Sequence, residues 1–254
     1  MEKIRKPFQG VLNIIKFNWH FYVIAIVFLI LLYFLKNHFN STFNFYSNIL
    51  FWLIISSTLI SLFVSYYVYD LSGLYNLNWL NKFKDIENST ILNINAGFDE
   101  TSALLQNKYK NSKLIVLDFY DPIKHTEISI KRARKAFPPY PNTQQVSTTS
   151  LPLKDESIDK MFIIFAAHEI RNDEERKIFF TELYRILKQN GQIIVTEHLR
   201  DLPNFFAYNI GFFHFLSKKS WDRTFQSSKF IIKNKFNFDP FISIFILEKN
   251  GVKS

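Results

Sequence analysis

LPLKDESIDKMFIIFAAHEIRNDEERKIFFTELYRILKQNGQIIVTEHLRD, residues 151–201, sets the reading of this chain. Residues 158–166 become apolar after Asp159 and Lys160, as a strand buried on both faces of a parallel sheet does. The next segment, 172–188, places Leu183, Ile186 and Leu187 at helical spacing, so these three are expected to face the sheet. Glu182 and Arg185, three residues apart on that helix, read as a structural pair rather than as catalytic groups. Asn190-Gly191 is expected to end the helix in a left-handed turn, ahead of a second buried strand at 192–198.

Outward from this unit the alternation continues. Residues 90–95 (TILNIN) and 113–118 (KLIVLD) read as strands, with helices over 99–109 and 123–136, the latter stopped by Pro138 and Pro139. After residue 201 an aromatic stretch leads to a helix at 218–228 and strands at 229–238 and 241–248. Alternating strands and helices imply an α/β fold, a doubly wound, mostly parallel sheet with right-handed crossovers. The last two strands share only a short link around Pro240, so they are expected to be antiparallel neighbours. Such sheets bind ligands at the carboxyl ends of their central strands.

Upstream the chain changes character. Residues 21–35 and 47–69 carry no charge, and a bilayer span takes about 20 apolar residues, about 17 at the least. Both stretches are apolar all round, without the polar stripe of a surface helix. They predict a hairpin of two transmembrane helices at about 19–36 and 47–69, with Trp19 and His20 at the interface. Lys36, Asn37, His38 and Phe39 are the wrong chemistry for a signal-peptide cleavage site. Lys3, Arg5, Lys6 and Lys16 precede the first helix, Lys82 and Lys84 follow the second, and Lys36 lies between. Positive-inside bias then places both ends in the cytoplasm. The expected organisation is a membrane anchor over 1–75 and an α/β domain over 76–254.

Composition narrows the chemistry. The 254 residues include no cysteine, which excludes disulfides, thiolate catalysis and thiolate zinc sites. The net charge of +9 is scattered, densest near the N-terminus and at 131–135 (KRARK), and no nucleic-acid-binding signature accompanies it. No nucleic-acid partner is expected. The histidines and carboxylates lack a compact ligand spacing such as HExxH, so no metal site is expected either.

The order of motifs resembles class I S-adenosylmethionine-dependent methyltransferases, especially the small-molecule branch that includes the ubiquinone and menaquinone enzymes. LPLKDESIDKMFIIFAAHEI is similar to that branch's Leu-Pro, acidic and buried-strand segment. FFTELYRILKQNGQIIVTEHLRD is similar to its Glu-Leu-x-Arg-x-Leu-Lys-x-x-Gly segment running into the fifth strand. The match is specific over about fifty residues and weaker over 76–254. It implies a Rossmann-like, seven-stranded sheet with an antiparallel last strand, here preceded by two transmembrane helices, and S-adenosylmethionine as cofactor.

The resemblance also nominates site residues. The cofactor turn falls at ILNINAGFDE (91–100). Gly97 matches the central glycine, Asn95 and Asp99 stand at the outer glycine positions, and Asn93 replaces the usual acid. Asn95 tolerates left-handed backbone, and Asp99 is also a plausible helix cap. An acidic turn repels a phosphate but suits a sulfonium and an ammonium, which favours S-adenosylmethionine over a dinucleotide. Asn93, Asn95, Ala96, Gly97 and Asp99 are therefore expected at the cofactor. Asp118, with Asp121 as understudy, is expected to hold the ribose, Ser147 and Thr148 the adenine, and Ala166 the end of the fourth strand. Tyr69 or Tyr75 matches a tyrosine that touches the amino-acid end in relatives.

Methyl transfer is an in-line displacement in which alignment supplies most of the rate. A base is needed only if the acceptor must lose a proton. His168 and His198 end the fourth and fifth strands, and Glu197 adjoins the latter, so these three are the candidate catalytic groups. Glu169, beside His168, is a further carboxylate. Phe205, Tyr208, Phe212, Phe213 and His214, in an aromatic stretch over 203–216, are expected to line a pocket for a lipophilic acceptor or to dip into the bilayer surface. The expected activity is methylation of a small lipophilic acceptor by a membrane-anchored, multi-pass protein. The alternative is a non-catalytic membrane-tethered binding module that keeps the fold.

Overall fold

The structure, a computed structural model, describes residues 5–36, 38–83, 86–124 and 127–251. Lys3 and Lys84 of the orientation argument lie outside them. The expected strands form one seven-stranded sheet, with β1 (Thr90–Asn95), β2 (Lys113–Asp118), β4 (Ile158–Ile164) and β5 (Leu187–His198) parallel. A short strand not read from sequence, β3 (Gln144–Gln145), pairs with the end of β2. Antiparallel β6 (Phe230–Asn237) and β7 (Ile242–Lys249) close the other side, β7 against β5, giving the order β3-β2-β1-β4-β5-β7-β6. Strand order reverses between β1 and β4, which places the binding edge at their carboxyl ends.

Helices α4 (Ser102–Lys108), α5 (Ile128–Ala136), α6 (Asp173–Ile186), α7 (Leu202–Tyr208) and α8 (Lys218–Ser227) complete the domain. Leu183 and Ile186 are fully buried against the sheet, as expected, whereas the helix ends before Leu187, which is buried as the first residue of β5 itself. Glu182 and Arg185 pair through two contacts at 2.8 and 3.1 Å. The pair also fastens the 151–153 segment to α6, because Arg185 donates to the Leu151 and Leu153 carbonyls and Glu182 accepts from the Leu151 amide. Gly191 departs from expectation. It is not left-handed, and the chain is extended from Leu187 onward. Its lack of a side chain serves close packing, since a Cβ would lie 2.6 Å from Leu187 and 3.0 Å from the Asp159 carbonyl.

The N-terminal part differs from a plain hairpin. The first apolar run forms α2 (Trp19–Leu35), 17 residues, behind a separate helix α1 (Gln9–Phe17), with a 70° bend between them. The break is at Asn18, whose side chain donates back to the Ile14 carbonyl at 3.1 Å. Helix α3 starts at Ser41, ahead of the expected start at 47, because the Asn40 side chain accepts the Phe43 amide and caps it. It runs on past Tyr66 through a π-helical turn, Tyr67–Leu71. Among the described residues one helix, 41–76, is long and apolar enough to cross a membrane, and α2 meets that test only when joined to α1. The apolar side chains of α2 and α3 are largely exposed.

Candidate functional site

The turn after β1 holds the residues expected at the cofactor. Gly97 has φ +96°, a backbone that side chains rarely adopt, as expected for the central glycine. Asn95 is not left-handed; its side-chain oxygen instead accepts the Gly97 amide at 3.0 Å and shapes the turn. Asp99 caps the following helix, accepting the Thr101 and Ser102 amides at 2.9 Å each. Asn93 donates to Thr101 and Ser102 at 2.9 and 2.8 Å, tying β1 to the same helix start. Yet Asn93 Oδ1, Asp99 Oδ2 and Asn95 Nδ2 are buried without a partner. Orphaned buried polar atoms cost free energy unless a ligand or water meets them, and two of these three are acceptors suited to an ammonium. Ala96 is buried beside them.

Asp118 ends β2, buried to 2% exposure, and accepts the Tyr120 amide at 2.9 Å. Its other oxygen forms an ion pair with Arg134 of α5. The Arg134 guanidinium lies 4.5 Å from the Tyr120 ring centre, and its side chain crosses Gly97, where a Cβ would meet it at 2.9 Å. The position expected for the ribose is therefore shared by two residues, Asp118 and Arg134, the second of which was invisible in a helix read only as basic. Asp121 caps the Ile123 amide at 2.8 Å. Thr148 is buried and donates to Glu175, whereas Ser147 is exposed and bonds Thr149 at 2.9 Å. Thus, of the two adenine candidates, Thr148 is already engaged by the domain. Ala166 is buried at the end of β4, next to Phe165, whose φ of +51° marks a strained turn at the binding edge.

Helix α1 covers this turn. Glu100 collects Arg5 at 2.6 Å, Gln9 and Asn13 from that end of the chain, and Tyr75 at 3.0 Å. Arg5 also stacks on the Tyr75 ring at 3.6 Å. Asp70 accepts the Gly10 and Val11 amides at 2.8 and 2.9 Å, and a Cβ at Gly10 would lie 2.4 Å from Tyr69. Phe17 packs against Phe98 of the turn and against Phe137. Glu100 and Gly10 were missed because their partners lie tens of residues away.

At the ends of β4 and β5 two of the candidate catalytic groups, His168 and Glu197, come together, and His198 stands apart from them. His168 Nδ1 meets Glu197 Oε2 at 2.6 Å, and its Nε2 lies 3.2 Å from Glu169 Oε1. His214 Nε2 reaches the same Glu169 oxygen at 3.1 Å, while its Nδ1 faces Glu127. Burial alone would lower the His168 pKa, but Glu197 and Glu169 outweigh it and hold it at about 10. Burial would raise Glu169, but hydrogen bonds from His168 and His214 hold it well below the usual carboxylate range. His168 is thus an imidazolium near neutrality, unsuited to taking a proton.

His198 is enclosed. Its ring stacks between Phe165 and Phe215, with centroids 5.0 and 4.9 Å away, and Tyr208 meets it edge-on. Tyr69 Oη lies 2.8 Å from Nε2, and the Phe241 carbonyl 2.9 Å from Nδ1. Burial lowers its pKa to about 4, against the opposing pull of the Phe241 carbonyl. It is neutral at pH 7 and saturated with partners, so its first role is structural.

The aromatic stretch divides. Tyr208 turns inward to His198, and His214 joins the carboxylates. Phe212 is half-buried against Phe205, while Phe205 and Phe213 are exposed, alongside Phe206 and Ile210. Asn209 donates to the Ser57 carbonyl of α3 at 3.2 Å, which sets this exposed apolar surface beside the long apolar helix.

Residues 92–195 match a family described as a methyltransferase domain. An uncharacterised methyltransferase of Schizosaccharomyces pombe is 31% identical over 127 residues, 48% of this chain and 45% of that protein. The chain thus matches less than half the length of that curated relative. Among solved structures, an S-adenosylmethionine-dependent methyltransferase from Aquifex aeolicus is similar with a TM-score of 0.51 at 16% identity, over 70% of this chain and 93% of that one. A Pyrococcus horikoshii protein is similar with a TM-score of 0.53 at 13% identity, over 70% and 89%. The sheet therefore has the Rossmann-like fold of those solved structures, and residues 92–195 are similar to the methyltransferase-domain family.

Proposed function

We propose that this chain is an S-adenosylmethionine-dependent methyltransferase, divided near residue 75 into a two-helix membrane anchor and a catalytic domain that faces the cytoplasm and acts on a small lipophilic acceptor. The observation that carries the cofactor is the turn after β1, where Gly97 at φ +96° adjoins the unpartnered acceptors Asn93 Oδ1 and Asp99 Oδ2. These acceptors would hold the ammonium end, and Asp118 the ribose hydroxyls once Arg134 withdraws. S-adenosylmethionine supplies the methyl group as a sulfonium; the chain's contribution is alignment and exclusion of water. With His168 protonated and His198 enclosed, neither imidazole is poised as a base, which favours an acceptor carbon or oxygen activated by other means. The membrane part of the reading rests on the exposed apolar surfaces of α2 and α3, and on the exposed aromatic side chains of 205–213 beside α3. The quinone-like branch is favoured by the 151–201 motif together with that placement.

A second reading has its own support: Arg134 lies over Gly97 and binds the Asp118 carboxylate, as in a module that keeps the fold without the cofactor. Calorimetric titration of the detergent-solubilised chain with S-adenosylmethionine and S-adenosylhomocysteine separates the two. Micromolar binding that weakens in Asp118→Ala supports the enzyme, whereas no binding at millimolar concentration supports the tethered module.

A further inference from the structure

We propose that His168, Glu169 and His214 form a site for one divalent transition-metal cation at the acceptor end of the sheet. The three side chains offer one donor atom each, all within 4.8 Å of one another. Two of the edges are measured: 3.2 Å from His168 Nε2 to Glu169 Oε1 and 3.1 Å from His214 Nε2 to the same oxygen. Ligands about 2.1 Å from a cation, at octahedral or tetrahedral angles, lie ~3.0–3.4 Å apart. Two of the three donor pairs therefore already stand at coordination spacing, both sharing Glu169 Oε1.

The supporting contacts are those that orient metal-bound imidazoles. Each ligating Nε2 belongs to a ring whose Nδ1 faces a second carboxylate, Glu197 for His168 and Glu127 for His214. Such carboxylate–histidine pairs fix the tautomer and strengthen the imidazole as a ligand. Arg171 also reaches the outer side of this group, lying against the carbonyl and Nδ1 of His214 and 3.3 Å from Glu127. The charges then point to a cation. Three carboxylates, Glu127, Glu169 and Glu197, surround the two rings against one guanidinium, and a cation bound there would displace a proton from the network. Glu169 and Glu197 are 6% and 0% exposed, where uncompensated charge is costly. Two imidazoles with one carboxylate suit a transition metal better than calcium or magnesium.

Sequence spacing hid this site because His214 lies 45 residues from Glu169, on the far side of β5 and α7. The test uses the full chain in detergent, free of any affinity tag, titrated with Co²⁺ and followed by visible absorption. One equivalent should give a saturable spectrum of low-coordinate Co²⁺ that Zn²⁺ displaces. Glu169→Gln and His214→Ala should abolish it, and Glu127→Gln, at a partly exposed position, should weaken binding about 10–100-fold. His214 is also partly exposed, so a folded His214→Ala chain, checked by circular dichroism, keeps the test valid if Glu169→Gln does not fold. A Co²⁺ spectrum like that of buffer, or one unchanged in the variants, overturns the proposal and leaves a proton-filled network. The inference rests on the methyltransferase reading only for its place near an acceptor. Cobalt binding without S-adenosylmethionine binding would overturn that reading and keep this site; the reverse would do the opposite.

Discussion

The carboxyl ends of β1 and β5 belong to one sheet edge, yet they are finished in opposite ways. After β1, three buried polar atoms of Asn93, Asn95 and Asp99 are left without partners. After β4 and β5, His168, Glu169, Glu197, His198 and His214 spend their polar atoms on one another, on nearby backbone or on the Tyr69 and Glu127 side chains. An edge with orphaned groups is completed by a ligand, whereas an edge with saturated groups supports itself. The comparison supports the proposed cofactor position on the β1 side. On the other side it makes the network a structural element first and a reactive one only when something displaces its protons.

The most direct way to break this contrast is to remove one side chain from each end. Glu197→Ala leaves His168 buried beside a single carboxylate and should cost about 3–5 kcal/mol of stability, the usual penalty for breaking a buried ion pair. Asn95→Ala deletes one modest hydrogen bond to Gly97 and should cost about 1 kcal/mol. Denaturant unfolding of the two variants in the same detergent checks both. Equal losses would show that the two ends are not built differently.

The pH dependence of stability probes the saturated end alone. His168 is raised to about 10, so its contribution is complete below the ordinary histidine value of about 6.5 and is lost as pH climbs toward 10. His198 is lowered to about 4, so its unfolded form takes up a proton first, and stability falls as pH drops from about 6.5 toward 4. Thermal unfolding should therefore be most resistant near pH 6.5. In Glu197→Ala the alkaline limb should flatten while the acid limb remains. An unchanged alkaline limb would remove His168 from the network.

Cofactor affinity sharpens the other end. Arg134 and Asp118 are paired, but their loss should act in opposite directions. Asp118→Ala removes the ribose partner and should weaken S-adenosylhomocysteine about tenfold, or ~1.4 kcal/mol. Arg134→Ala removes the side chain that crosses Gly97 and should tighten it by a similar factor. Calorimetry of both variants decides; a loss of affinity in Arg134→Ala would make the guanidinium part of the binding surface instead of a competitor.

What the sequence made legible follows the same division. Strands β1, β2, β4 and β5, and the packing of Leu183 and Ile186, were readable because burial leaves a periodic record. The Glu182–Arg185 pair was readable because its partners sit one helical turn apart. Arg134 over Gly97, Glu100 under α1, and His214 beside Glu169 were not, because each joins residues tens of positions apart with no shared period. β3 is two residues long, too short for alternation to show. The bend at Asn18 was missed for a different reason: hydropathy reports how apolar a run is and is blind to one side chain capping a carbonyl within it.

The smallest expected effect lies at the surface that joins the saturated end to the apolar helices. Phe206 and Phe213 are 67% and 65% exposed, so changing both to Ser should move stability by no more than about 0.5 kcal/mol. If that surface enters the bilayer interface beside α3, the double variant should methylate a water-soluble acceptor as the parent does and lose rate only when the acceptor is dissolved in vesicles. The half-buried Phe212 supplies the contrast, since it packs on Phe205 and a change there should alter both assays. Equal activity of the surface variant on vesicle-bound and free acceptor would detach the aromatic stretch from the membrane and leave it as a packed lid.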